Sequence, residues 1–157
     1  MTSKLLLPNY FKKIGWILLI PAAILGVLLI TESLQWELKT RVFAIINQDF
    51  IEDTAFFTVV ETNILNTITG ILFIVGALFV GFSKEKTEDE FIKELRLSSL
   101  LWSVWVNYIL LFLAFCFIYG MSFLNVMIYN MFTVLIIFII RFNYILYRNT
   151  KLMAHEK

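Results

Sequence analysis

Residues able to do chemistry are few in this sequence, and many of them gather in Thr62-Asn63-Ile64-Leu65-Asn66-Thr67-Ile68-Thr69-Gly70. The stretch lies in an apolar run from about Phe56 to Phe82, long enough to cross a bilayer as a helix. At 100° per residue, Thr62, Asn63, Asn66, Thr67, Thr69 and Gly70 share one half of the wheel with Ala77 and Gly81. Lipid offers amides no hydrogen-bond partner, so this half is expected to face protein or water. It then has two uses. One is hydrogen bonding between helices, at about 0.6 kcal/mol per bond on average. The other, with Ser103, Asn107, Asn125 and Tyr129, is a polar cavity for a small ligand or a lipid headgroup. Interhelical bonding is the simpler use. The cavity makes Asn63, Asn66 and Thr67 candidate ligand contacts.

Carboxylates are scarcer still inside the apolar runs. No charged residue occurs between Glu61 and Lys84 or between Arg96 and Arg141. Proton pumps and ion-coupled carriers usually place an ionisable group there. Glu61 is the one candidate, either reaching the outer interface or serving as a ligand or proton site at the mouth of a bundle. Glu88-Asp89-Glu90 suggests metal binding, but consecutive residues at a helix start point in different directions. Capping explains them better: Thr87 can accept from the amide of Glu90, and the Glu90 side chain can reach back. Ser98, Ser99 and Ser103 have no histidine to activate them, since His155 is the one histidine and lies near the chain end. With one cysteine, Cys116, the chain can assemble neither a His/Cys metal site nor a thiol pair. The sequence predicts no enzyme, no cofactor and no metal.

The elements that must hold these residues are membrane spans. Of 157 residues, 60% are hydrophobic and 16% charged, and the mean hydropathy is +0.83. Soluble domains are about 45–50% apolar, so the excess needs lipid to cover it. A net charge of +1 gives no electrostatic basis for a nucleic-acid partner. Spans are predicted at about 14–31, 56–82, 98–119 and 121–141, in one membrane domain over 1–157. The first is read as a retained anchor rather than a signal peptide, because it is long for one and lacks a clean small-x-small cleavage site. Pro21 lies within it, and Gly15 and Gly26 are small enough for close helix contact.

Residues 32–55 form an outer loop rich in acids. It reads either as an interfacial helix with Trp36 at headgroup depth or as a short strand at Arg41 to Ile46, with a turn at Asn47-Gln48-Asp49. A cytosolic helical extension at 87–97 is expected to continue unbroken into the third span, about 45 Å from Glu88 to Phe117. Phe91, Ile92 and Leu95 line one face of the extension as a candidate partner face, while Lys93, Glu94 and Arg96 are expected to face water. Ser99, Ser103 and Asn107 recur every four residues, a narrow stripe that Ala114 continues. On the fourth span Ser122, Asn125, Tyr129 and Thr133 group similarly, and Arg141 can snorkel at the boundary.

With the N-terminus in the cytosol, the inner segments carry Lys4, Lys12, Lys13, Lys84, Lys86, Lys93, Arg96, Arg141, Arg148, Lys151 and Lys157. The outer segments carry Lys39 and Arg41. That imbalance places both termini inside.

Residues Phe82 to Glu90, with Leu95-Arg96, Ser99-Leu100, Trp102, Asn107-Tyr108, Asn125-Val126-Met127, Asn130-Met131-Phe132 and Arg141-Phe142-Asn143, resemble a group of small, uncharacterised bacterial four-helix integral membrane proteins. The resemblance covers about 82–148 and implies a bacterial inner membrane, with no catalytic residue to carry over. The expected fold is an all-α bundle of four transmembrane helices, N-in and C-in, with the third helix extended into the cytosol. The expected function is a non-enzymatic regulatory or partner-binding protein in contact with membrane lipid, either with a protein partner or as a homo-oligomer. The alternative is an oligomeric small-solute channel or exporter lined by the second helix.

Overall fold

The computed structural model describes residues 6–31, 38–47 and 55–155. In chain order these form α1 (Tyr10–Ile30), β1 (Lys39–Asn47), β2 (Ala55–Asn63), α2 (Ile64–Phe82), α3 (Glu90–Phe117) and α4 (Met121–His155). The fold is mostly helical, and all four helices are long and apolar enough to cross a membrane. Their lengths are about 31, 28, 42 and 52 Å, against a hydrocarbon layer of about 30 Å. Only 11 to 28% of each helix's most apolar window is buried within the protein, so lipid must cover the rest.

Three expectations change. The second helix starts at Ile64 rather than Phe56, because Phe56 to Asn63 belong to a strand. Thr58, Val59, Val60 and Thr62 are β-branched and fit a pleated ribbon, although their hydropathy merges with the helix that follows. The fold is therefore not all-α, and the strand reading of Arg41 to Ile46 is the one observed, extended to Lys39–Asn47. The fourth helix does not stop at the apolar boundary but runs on to His155. Trp36, the turn at Gln48-Asp49, Lys4 and the final residues 156–157 lie outside the described residues.

The chain divides into two compact units, Leu19–Phe73 and Met1–Leu18 with Ile74–Lys157. The first holds the second half of α1, the hairpin and the first half of α2. Its strands pair antiparallel, from Lys39 opposite Asn63 to Asn47 opposite Ala55. Side chains alternate across a strand, so Phe43, Ile45, Phe57 and Val59 share one face, and all four are exposed. Val42, Ala44, Thr58 and Val60 on the other face are half-buried. Phe57 has φ 53°, a left-handed conformation unusual for a bulky residue, and the pairing skips Ile45 there. In the helical part, Leu19, Ala22 and Thr69 are buried.

The other unit joins the first half of α1, the second half of α2, and α3 and α4. Before α1, the chain is zipped to the α2–α3 connector. Leu7 N donates to Phe82 O at 3.0 Å, Lys84 N donates to Leu7 O at 2.8 Å, and Asn9 Nδ2 donates to Lys84 O at 2.7 Å. Pro8 and Asn9 supply the first carbonyls that α1 uses, to Phe11 N and Lys12 N. The α3–α4 turn closes at Gly120, whose φ of 70° disfavours any L side chain. Phe138 and Phe142 are fully buried and stacked at 6.0 Å, with the Phe82 ring 5.7 Å from Phe138.

Gly15 fixes how α1 meets α2. A Cβ there would sit 2.8 Å from the backbone nitrogen of Val80 and 2.8 Å from Phe79 Cβ, and neither atom is the end of a flexible side chain. At Gly26 an added Cβ would meet only Thr69 Cγ2, at an ordinary 3.9 Å. Gly15→Ala should therefore lower the thermal stability of the detergent-solubilised protein, by about 1–3 kcal/mol for overpacking, and Gly26→Ala should not. Equal melting temperatures for the two variants would contradict this account.

Candidate functional site at the charged end of the helices

The polar residues of the spans serve structure first. On α3, Ser99, Ser103 and Asn107 are buried in one line with Ala114. Ser103 donates to Leu100 O of its own helix at 2.7 Å. Asn107 finds its partner on α4: Asn107 Nδ2 donates to Asn130 Oδ1 at 3.3 Å, and Asn130 Nδ2 donates to Asn107 Oδ1 at 3.0 Å. The two amides satisfy each other without water, the arrangement that polar groups in lipid require.

Asn125 and Tyr129, expected in the core, are exposed instead. The inward face of α4 runs one position away, through Val126, Asn130, Val134, Phe138 and Phe142, at a strict spacing of four. That spacing was the signal for Asn130. Grouping the polar residues with one another hid it, because Asn130 keeps apolar company.

The second-helix array also separates. Glu61 and Thr62 are exposed on β2, and Arg41 Nε donates to Glu61 Oε1 at 2.9 Å across the hairpin. With side chains 78% and 62% exposed, this pair contributes little to stability. Asn63 ends β2, and its Oδ1 accepts from Leu65 N at 3.1 Å and from Leu38 N at 3.3 Å. It thus caps α2 and joins the helix to the ribbon. Asn66 and Thr67 are exposed on the first turn of α2, against the expectation that amides there face neighbouring helices. Their position at the helix start explains the difference, since an amide near the end of a span can reach water.

The charged end of the helical unit is the most densely built polar region. α3 starts two residues later than Thr87-Glu90 capping predicts by its pattern, with Asp89 as N-cap: Asp89 Oδ1 accepts from Ile92 N at 2.9 Å. Thr87 is exposed and caps nothing. Glu88 is thereby released for another task. Arg96, expected to face water, is buried, and its Nη1 donates to Glu88 Oε1 at 2.8 Å. Its Nη2 donates to Ser83 O at 3.1 Å, and its guanidinium carbon lies 5.2 Å from the centre of the Phe142 ring. Glu88 Oε2 also accepts from Glu85 N at 2.9 Å. The signal for Arg96 was its register: it lies three residues before Ser99 and seven before Ser103, on the buried stripe of α3. Lys12 pairs with Glu85 and lies 5.9 Å from the same Phe142 ring. Further along α4, the Arg141 guanidinium covers the Trp102 ring at 4.4 Å.

Beside these pairs lies a pocket of about 470 Å³. Trp16, Phe91, Ile92 and Leu146 supply apolar wall, and Asn9, Lys12, Lys13, Glu85, Lys86, Thr87, Asp89, Asn149 and Thr150 supply polar lining. None of the eight residues read as a polar core or ligand face takes part. Of the candidate partner face, Ile92 and Leu95 are buried, so that face packs against the protein itself, and only Phe91 is exposed. Among the described residues no group of three or more His, Cys, Asp or Glu side chains is placed to hold a metal.

Comparison with protein-family models, with curated proteins and with solved structures gave no match. The resemblance over 82–148 therefore identifies no family.

The Asn107–Asn130 pair is testable by a double-mutant cycle. Asn107→Ala and Asn130→Ala should each destabilise the protein in detergent, and the double variant should cost less than their sum. The coupling should be about 0.6 kcal/mol and no more than about 1.7. Strictly additive effects would show that the amides do not depend on each other.

Proposed function

We propose that this is a non-enzymatic, regulatory or partner-binding protein of the bacterial cytoplasmic membrane, with four spans and both termini in the cytosol. The carrying observation is how the polar groups divide. Asn107 and Asn130 consume each other within the spans, whereas unpaired charge collects around an open pocket at the end where α1 and α3 begin. Groups paired inside a bundle hold it together, and groups left open at its end are available to something else. The bacterial assignment rests on the resemblance, and the orientation on the excess of Lys and Arg in the segments at that end.

Two measurements test this reading. A photo-crosslinking residue at Phe91, in the native cell, should capture a specific second protein that the same residue at lipid-facing Phe112 does not. Recovery of nothing but copies of this chain would argue against a hetero-partner. Epitope tags at the two termini should both resist protease in intact spheroplasts, and digestion of either would overturn the orientation.

The exposure of Asn66 and Thr67 favours a second reading, an oligomeric small-solute channel or exporter in which these residues line a path shared between copies. It requires liposome flux that Asn66→Leu abolishes, and a monomer in native-like lipid would exclude it.

A further inference from the structure

We infer that the pocket beside Lys13 and Lys86 binds the phosphate of an anionic membrane lipid, with the acyl portion lying against Trp16 and Ile17. The inference rests on the reading of the charged end as a binding surface and names what that surface takes.

Charge selects the ligand class. Five charged residues line the pocket: Lys12, Lys13, Lys86, Glu85 and Asp89. Both acids are already engaged, Glu85 with Lys12 and Asp89 in capping α3. Lys13 and Lys86 are exposed, and among the described residues neither makes an ion pair. Three ammonium groups therefore face two carboxylates, one paired with Lys12 and one capping a helix, so the lining carries a net charge of +1. Such a site repels cations and favours a compact anion. Asn149 adds an amide able to donate to phosphate oxygens.

The apolar side of the pocket points to a lipid rather than a soluble phosphate. Trp16, Phe91, Ile92 and Leu146 give a free phosphate nothing to bind. On α1, Lys13, Trp16 and Ile17 follow at the spacing that places residues on one helix face. Ile17 is 70% exposed and lies in the charge-free run that crosses the bilayer. Trp16 stands where an interfacial indole is expected, just inside the last cation. A lipid phosphate at Lys13 thus has an apolar track directly below it. The volume also lies within the range of about 300–1,000 Å³ usual for small-molecule sites.

Native mass spectrometry of the full-length protein tests this, with phosphatidylglycerol as the probe and phosphatidylcholine as competitor. The wild-type chain should retain one phosphatidylglycerol in preference to phosphatidylcholine. Lys13→Gln/Lys86→Gln should reduce that preference by about twenty-fivefold, at about fivefold per lysine. Lys84→Gln/Lys93→Gln removes the same charge from outside the pocket and should leave the preference intact. A melting temperature for each variant separates lost binding from lost fold. Trp16→Leu should weaken retention of the lipid without weakening binding of inorganic phosphate.

Equal losses in both double variants would reduce the effect to net charge and overturn the site. Displacement of the lipid by inorganic phosphate at the same concentration as the lipid would overturn the lipid assignment in favour of a soluble phosphate compound. If lipid preference is absent while the Phe91 crosslink persists, the site falls and the partner-binding reading stands.

Discussion

A guanidinium removed from water needs partners for its charge, and Arg96 imposes that requirement on the charged end of this protein, although its Nε has none among the described residues. Its charge is met by Glu88, one of its N–H groups by the carbonyl of Ser83, and its flat face by Phe142. These partners come from the two ends of the α2–α3 connector and from α4, so one side chain sets the positions of two segments relative to α3. A buried ion pair is an uncertain source of net stability, because desolvation offsets much of the attraction. Its value here lies in geometry. The observed arrangement of connector and helices brings carboxylate, carbonyl and ring to the guanidinium together.

The same logic operates deeper in the membrane with neutral groups. Asn107 and Asn130 each present a donor and an acceptor, and their reciprocal pairing fixes the register of α3 against α4 in a region where apolar side chains could slide. Gly15 acts by close approach instead, letting the α1 backbone meet α2 where any side chain would intrude. Three different devices, charge, amide and absence of a side chain, therefore align the helices of one unit at different depths. The hairpin follows another rule. Its Arg41–Glu61 pair is open to solvent, and its apolar face of Phe43, Ile45, Phe57 and Val59 is left outward.

The spans were legible because an apolar run of some twenty residues seldom occurs away from a bilayer. The buried stripe of α3 was legible too, since Ser99, Ser103 and Asn107 recur at a helical interval among apolar neighbours. Hydropathy could not show where strand becomes helix between Phe56 and Ile64, as both states are apolar there. The β-branched run Thr58, Val59, Val60 and Thr62 held that information. Arg96 was misread because a cation near a helix start is usually solvated, although its register with Ser99 and Ser103 marked it as inward. The charged pocket was not legible at all. Lys13, Lys86 and Asn149 are far apart in sequence, and only the packing of α1, the α2–α3 connector and α4 brings them together.

The abrupt turn at Gly120 has one further effect. Because α3 and α4 are tied there with almost no slack, their lengths of 28 and 35 residues cannot be reconciled at that end. The surplus of seven residues, about 10 Å, is delivered to the opposite end. The last turns of α4 therefore extend past the start of α3. A glycine at the far end of the two helices thus sets how far Asn149 and Thr150 reach toward the α2–α3 connector, where they line the pocket.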